Sequence, residues 1–177
     1  NVTEAMTKAI EQAIISGDGS GKPKGILTET PVAGQALTGA PSYAKLVEAE
    51  AALPLEYENG AVWCMTKKTF MQFIGETDDA GQPIARVNYG INGRPERILL
   101  GRPVVLCNYL DSYKPDLESG RIWAFLFNFS DYVLNTNYNM TVKRYEDNDT
   151  DDMITKAIMI ADGKVVDKNS LVTLAMA

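Results

Sequence analysis

Apolar residues recur at three- and four-residue spacing at the start of the chain. Val2, Met6, Ala9, Ile10, Ala13 and Ile14 line one side of a helix predicted over residues 2–15. Gly17 stops it, and Asn1 followed by Glu4 resembles a capping box. A second helix is predicted over residues 42–53, with Tyr43, Leu46, Val47 and Ala51 on one face and Pro54 ending it. Residues 61–65 form an apolar run of strand length. Thr66 then caps a third helix that turns Phe70, Phe73 and Ile74 inward and ends at Gly75. Beyond a polar loop at 76–83 the pattern changes to strands: 98–100, 104–107, 122–129, 140–145, 153–161 and 171–176 are apolar or alternating runs, with turns expected at Asn92-Gly93 and Asp162-Gly163. Helix-rich first and strand-rich later, the chain reads as α+β.

Composition narrows the function. The 177 residues, 45% hydrophobic, suffice for one sizeable core or two small intertwined subdomains. No run approaches the roughly 20 apolar residues of a membrane helix, and the first residues alternate where a signal peptide would be apolar. The chain opens on Asn1, which fits either processing or truncation. A net charge of −6 opposes a phosphate-gripping surface, so neither direct DNA binding nor a sequence-specific nucleic-acid partner is expected. There is no histidine, which removes Ser–His and Cys–His nucleophile pairs and His-containing zinc sites. Cys64 and Cys107 each sit in an apolar run and are expected as buried thiols, with a disulfide the alternative. No catalytic residue and no cofactor is assigned.

Three motifs invite chemistry. Gly17-Asp18-Gly19-Ser20-Gly21-Lys22 resembles a phosphate loop, but Ser16 stands where the first glycine belongs and Pro23 where a magnesium-binding hydroxyl belongs. A structural loop at residues 17–25, with Gly17, Gly19, Gly21 and Gly25 supplying backbone freedom, is the reading preferred over a nucleotide-binding enzyme. Glu146-Asp147-Asn148-Asp149-Thr150-Asp151-Asp152 carries five carboxylates, yet the turn glycine and distal glutamate of a calcium loop are Asp152 and Ile158. A solvated turn is the default; the sharper option is a cation or arginine contact shared between subunits through Asp147, Asp149, Asp151 and Asp152. Trp123, Phe125, Phe127 and Phe129 alternate, so they are expected on one strand face in the core; a carbohydrate-binding β module is the rival reading.

A family resemblance enters at the glycine loop. Ile15-Ser16-Gly17-Asp18-Gly19-Ser20-Gly21-Lys22-Pro23-Lys24-Gly25-Ile26-Leu27 resembles a signature of tailed-phage major capsid proteins of the Hong Kong 97 type. Val62-Trp63-Cys64-Met65 with Thr69-Phe70, then Leu99-Leu100-Gly101-Arg102-Pro103-Val104-Val105, Phe127-Asn128-Phe129-Ser130-Asp131-Tyr132-Val133 and Asp162-Gly163-Lys164-Val165-Val166-Asp167 are similar to further elements in family order. The resemblance implies a C-terminal fragment of the capsid fold, lacking the N-terminal arm, the extended hairpin and most of the spine helix. It implies residues 1–16 as the end of that helix in a peripheral domain, 17–138 as an axial domain, 139–165 as peripheral strands and 166–177 as a return strand. Function is then expected to be structural, not enzymatic: pentamers and hexamers of this subunit enclosing a phage or prophage genome. Self, and scaffold, protease and portal proteins, would be its partners. It would assemble in the bacterial host cytoplasm and reside in the virion. The crosslinking Asn and Glu of one family member have no match in Asp151-Asp152-Met153 or Met159-Ile160-Ala161, so that chemistry is not carried over.

Overall fold

The computed structural model describes residues 2–89, 93–147, 149 and 152–177. They divide into two compact units, Asn1–Glu29 with Tyr132–Val166, and Thr30–Asp131 with Asp167–Ala177.

In the first unit α1 (Val2–Ser16) ends in the glycine loop, followed by a 3₁₀ turn at Ile26–Thr28. Two long antiparallel strands, β7 (Tyr132–Glu146) and β8 (Met153–Val165), complete it. Only the C-terminal turn of α1 buries residues, Ala13 and Ile15, so Val2 and Ala9 of the expected inward stripe are exposed. The capping box rests on Asn1, which lies outside the described residues. The expected turn at Asp162-Gly163 is corrected: both residues pair within the ribbon, Asn135 with Asp162 and Leu134 with Gly163. A Cβ on Gly163 would come within 2.7 Å of the Tyr132 hydroxyl, so glycine serves close packing there. The expected changeovers at residues 16/17 and 138/139 fall inside this unit. The loop is tied to the ribbon of this unit: Lys24 N–H donates to Gly163 O (2.7 Å) and the Tyr132 hydroxyl to Lys24 O (3.0 Å).

The second unit is a seven-stranded sheet. Its strands are β1 (Ala36–Thr38), β2 (Val62–Met65), β3 (Ala85–Tyr89), β4 (Pro95–Leu99), β5 (Arg102–Leu106), β6 (Ile122–Phe127) and β9 (Val172–Ala175), in the order β1-β9-β6-β2-β5-β4-β3. β1/β9 and β2/β5 are parallel and the other pairs antiparallel. Helices α2 (Tyr43–Ala52) and α3 (Lys67–Phe73) contribute Leu46, Ala49, Phe70 and Phe73 to a core shared with Trp63, Met65, Leu126 and Leu174. Each such large side chain removed from water contributes roughly 1.5–3 kcal/mol before ordering costs. Ser42 caps α2 and Thr66 caps α3, each accepting from the N–H three residues on.

Two inward faces are corrected. On α2 the buried positions are Leu46 and Ala49, while Val47 is 43% exposed and Ala51 is exposed. Ile74 caps the C-terminus of α3 in extended backbone and is 39% exposed, because the helix has already ended. Arg102, at the start of β5, ties the sheet to α2. Its Nε lies 2.8 and 2.9 Å from the two carboxylate oxygens of Glu50, and its Nη1 donates to Glu58 O (2.7 Å).

Candidate functional site

The glycine loop is held by its own backbone. Gly17 N–H donates to Ala13 O (2.8 Å), closing α1, and Gly25 N–H donates to Gly17 O (2.9 Å), closing the loop on itself. Gly19 (φ +78°) and Gly21 (φ +66°) occupy the left-handed region, where other residues are strained. Gly17 and Gly25 are there for a different reason. A Cβ on Gly25 would stand 2.5 Å from Gly17 N and 2.7 Å from Ile15 O; one on Gly17 would strike Pro23 O and Ala13 O. Gly17 and Gly25 therefore form a backbone crossing point, and Gly19 and Gly21 turn the loop that it closes.

That loop is poorly suited to a phosphate. Asp18 places a carboxylate inside it and accepts Ser20 N–H (2.9 Å), which holds its carboxyl below the usual range, and Lys22 lies 3.4 Å from the same side chain. This carboxylate already takes one backbone N–H and the lysine that a phosphate would use, and its negative charge opposes an anion there.

The acidic turn joins β7 to β8. Asp147 N–H donates to Asp152 O (2.9 Å) and Asp149 N–H to Asp147 Oδ1 (3.1 Å), so one carboxylate serves the turn itself. Asp151 lies outside the described residues, and among those described no three acidic or sulfur side chains are grouped to hold a metal ion.

The single-face reading of the aromatics is corrected. The β6–β9 register shifts between Ile122 and Ala124, and β6 is buried on both faces. Trp123 joins the helix-covered core beside Phe73 and Tyr113 and donates Nε1–H to Gly39 O (3.0 Å). Phe125 and Phe127 instead stack against Phe129, which lies beyond the strand in a 3₁₀ turn. Trp63 and Trp123 are fully buried, so neither indole face is open to stack on a sugar or base. Cys64 and Cys107 are buried and not joined by a disulfide. Hydrogen bonding to Cys107, then burial, pushes the Cys64 thiol far up, away from nucleophilic thiolate.

What the described surface does offer, beyond the acidic turn, is an edge. β3 is the last strand of the sheet, and between it and the end of α3 runs an open groove of about 500 Å³ lined by Met71, Ile74, Val87 and Tyr89, with Arg86 at its rim. Nothing in the apolar periodicity of the sequence marked this groove.

The phage capsid family profile matches residues 1–176. The chain belongs to the phage capsid family. Among solved structures, the capsid of an empty GTA particle computed with C5 symmetry is similar at 24% identity and a TM-score of 0.78, covering 99% of this chain and 64% of that one. The holo-SrpI encapsulin complex from Synechococcus elongatus is similar at 17% identity and TM-score 0.69, covering 98% of this chain and 62% of that one. A Gordonia phage Cozz chain is similar at 16% identity and TM-score 0.56, covering 99% and 61% respectively. Among curated proteins no sequence match was found. The α+β fold is thus that of Hong Kong 97-type capsids, and this family chain spans just under two thirds of the length of those neighbours.

Proposed function

We propose that this chain is part of a structural subunit of an icosahedral phage or prophage shell, forming pentamers and hexamers that enclose a genome. The observation that carries the reading is the family match over residues 1–176. The disposition of its chemistry-bearing residues supports it: Lys22 is paired, Cys64 is a protonated buried thiol and the tryptophans are core. The sheet unit corresponds to the axial domain around a capsomer centre, and the unit of α1 with the β7–β8 ribbon to part of the peripheral domain. The acidic turn then lies where subunits meet, with arginines of neighbours or a shared divalent cation offsetting its charge. Its partners are copies of itself, with scaffold, protease and portal proteins during assembly in the host cytoplasm, and its destination is the virion.

Electron microscopy of the whole protein expressed alone tests this. Closed shells of uniform size are expected. A protein that stays monomeric across salt and concentration would refute the role.

A further inference from the structure

Two exposed features of the sheet unit complement one another in shape and charge. The first is the groove beside β3. Tyr89 is 81% exposed, Met71 50% exposed, and Arg86, which lines the groove, is exposed as well. Four of the six arginines of this acidic chain, Arg86, Arg94, Arg97 and Arg102, fall within 17 residues. Only Arg102 is turned into ion pairs with Glu50 and Glu58; the other three make none among the described residues. β3 also presents the unpaired backbone of a sheet edge, which binds extended or knob-like segments of another chain.

The second feature is the 3₁₀ turn Leu55–Tyr57 that follows α2. Leu55 at its start is 83% exposed, the most exposed large apolar residue among those described. It is flanked by carboxylates. Glu56 is exposed and has no ion pair among the described residues, and Glu58 is anchored through Arg102. An apolar knob with acidic shoulders is the counterpart of an apolar groove that carries an arginine.

These features do not meet within one copy. Leu55 is open to solvent and does not line the groove. Register pairs Tyr89 with Pro95 at one end of β4 and Leu99 with Arg102, the holder of Glu58, at the other, about 13 Å apart along the strand. Knob and groove are different patches of the same chain, so a contact between them is head-to-tail, and such contacts build rings when the rotation closes. We infer that Leu55 of one copy seats in the β3 groove of a second copy, with Glu56 facing Arg86, and that this contact joins neighbouring sheet units within a capsomer. The inference rests on the shell reading and names the surfaces that would execute it.

The test uses the whole protein with Leu55→Cys and Ile74→Cys combined. Both native cysteines are buried, so background linkage is low. Mild oxidation with diamide should give covalent multimers from the double variant and almost none from either single one. In parallel, Arg86→Glu should lower the sedimenting shell fraction at least tenfold, and adding Glu56→Arg should recover most of it. Matched melting temperatures confirm that these surface variants fold. Shells at parent yield from Arg86→Glu, with no linkage in the double-cysteine variant, overturn the contact and leave the shell reading intact. Single-cysteine variants that dimerise as strongly as the double one would mean a face-to-face contact and also overturn it. A parent that never forms shells removes the reading and this contact together.

Discussion

Adding one methyl group at Gly25 should damage the first unit more than its small size suggests. Gly25 has ordinary extended angles (φ −75°, ψ 155°), so alanine carries no conformational penalty there. The problem is space. The new Cβ would stand 2.5 Å from Gly17 N, 2.7 Å from Ile15 O and 2.7 Å from Ser16 N, all of them backbone atoms that cannot rotate away. The crossing strands must part by about half an ångström to relieve this, which costs roughly 1–3 kcal/mol for overpacking. Parting also weakens the 2.9 Å bond from Gly25 N–H to Gly17 O, about 1 kcal/mol more. The sum, about 2–4 kcal/mol, corresponds to a melting temperature lowered by roughly 5–15 °C in a chain of this length. Calorimetry and amide exchange at Gly25 read the effect. Gly21→Ala supplies the contrast, since its Cβ would meet open space and only the left-handed angle matters, about 1–2 kcal/mol. Gly25→Ala melting with the parent, or above Gly21→Ala, would refute the steric argument.

Other consequences are open to the same methods. Trp123→Ala should cost roughly 3–5 kcal/mol through the cavity it leaves, whereas Trp123→Phe should lose about 1 kcal/mol with the bond to Gly39 O; equal melting temperatures for parent and Trp123→Ala would contradict its burial. Arg102→Ala strands the partly buried Glu50 and should cost roughly 2–3 kcal/mol, and Arg102→Lys should restore little because ammonium lacks the fork that spans Glu50 and Glu58, a comparison that urea denaturation can make. Burial, with Asp162 adding, raises the Tyr132 hydroxyl above its ordinary 10.0, so the unfolded chain ionises first as pH climbs. The folded state therefore loses stability through and above pH 10, and Tyr132→Phe should flatten that loss when urea midpoints at pH 8 and pH 11 are compared; an unchanged loss would assign it elsewhere.

The sequence disclosed elements better than faces. Periodicity placed α1 within one residue of its observed end, and the apolar runs became β2, β5, β6 and β9. β1 is three residues long and β3 alternates weakly, so neither carried a signal distinguishable from loop, though together they form both edges of the sheet. The faces failed where local pattern and tertiary context disagree. A register shift turns Trp123 to the opposite side from Phe125, and strict alternation cannot see a bulge. Asp162-Gly163 reads as a turn from residue preferences alone; the glycine is demanded instead by the Tyr132 ring across the ribbon, a partner about thirty residues away in sequence.

Site legibility follows a similar division. The glycine loop stood out because its glycines lie close together in the chain, and a motif is a statement about neighbours. The groove beside β3 did not, because its walls come from α3 and a sheet edge, and because the apolar pattern of a sequence does not say which side chains a single copy leaves wet. Val142, Tyr145, Met153 and Ile160 of the β7–β8 ribbon make the same point, each exposed although each belongs to an alternating or apolar run of the kind used to assign a core. A two-stranded ribbon has no second layer of its own, and such ribbons are marginal in water when left alone. Hydrophobic periodicity records every surface that evolution keeps dry, whether folding or association dries it. The two contributions overlap in a sequence, and the fold separates the positions that folding has already covered from those, such as Leu55 and Tyr89, that it has not.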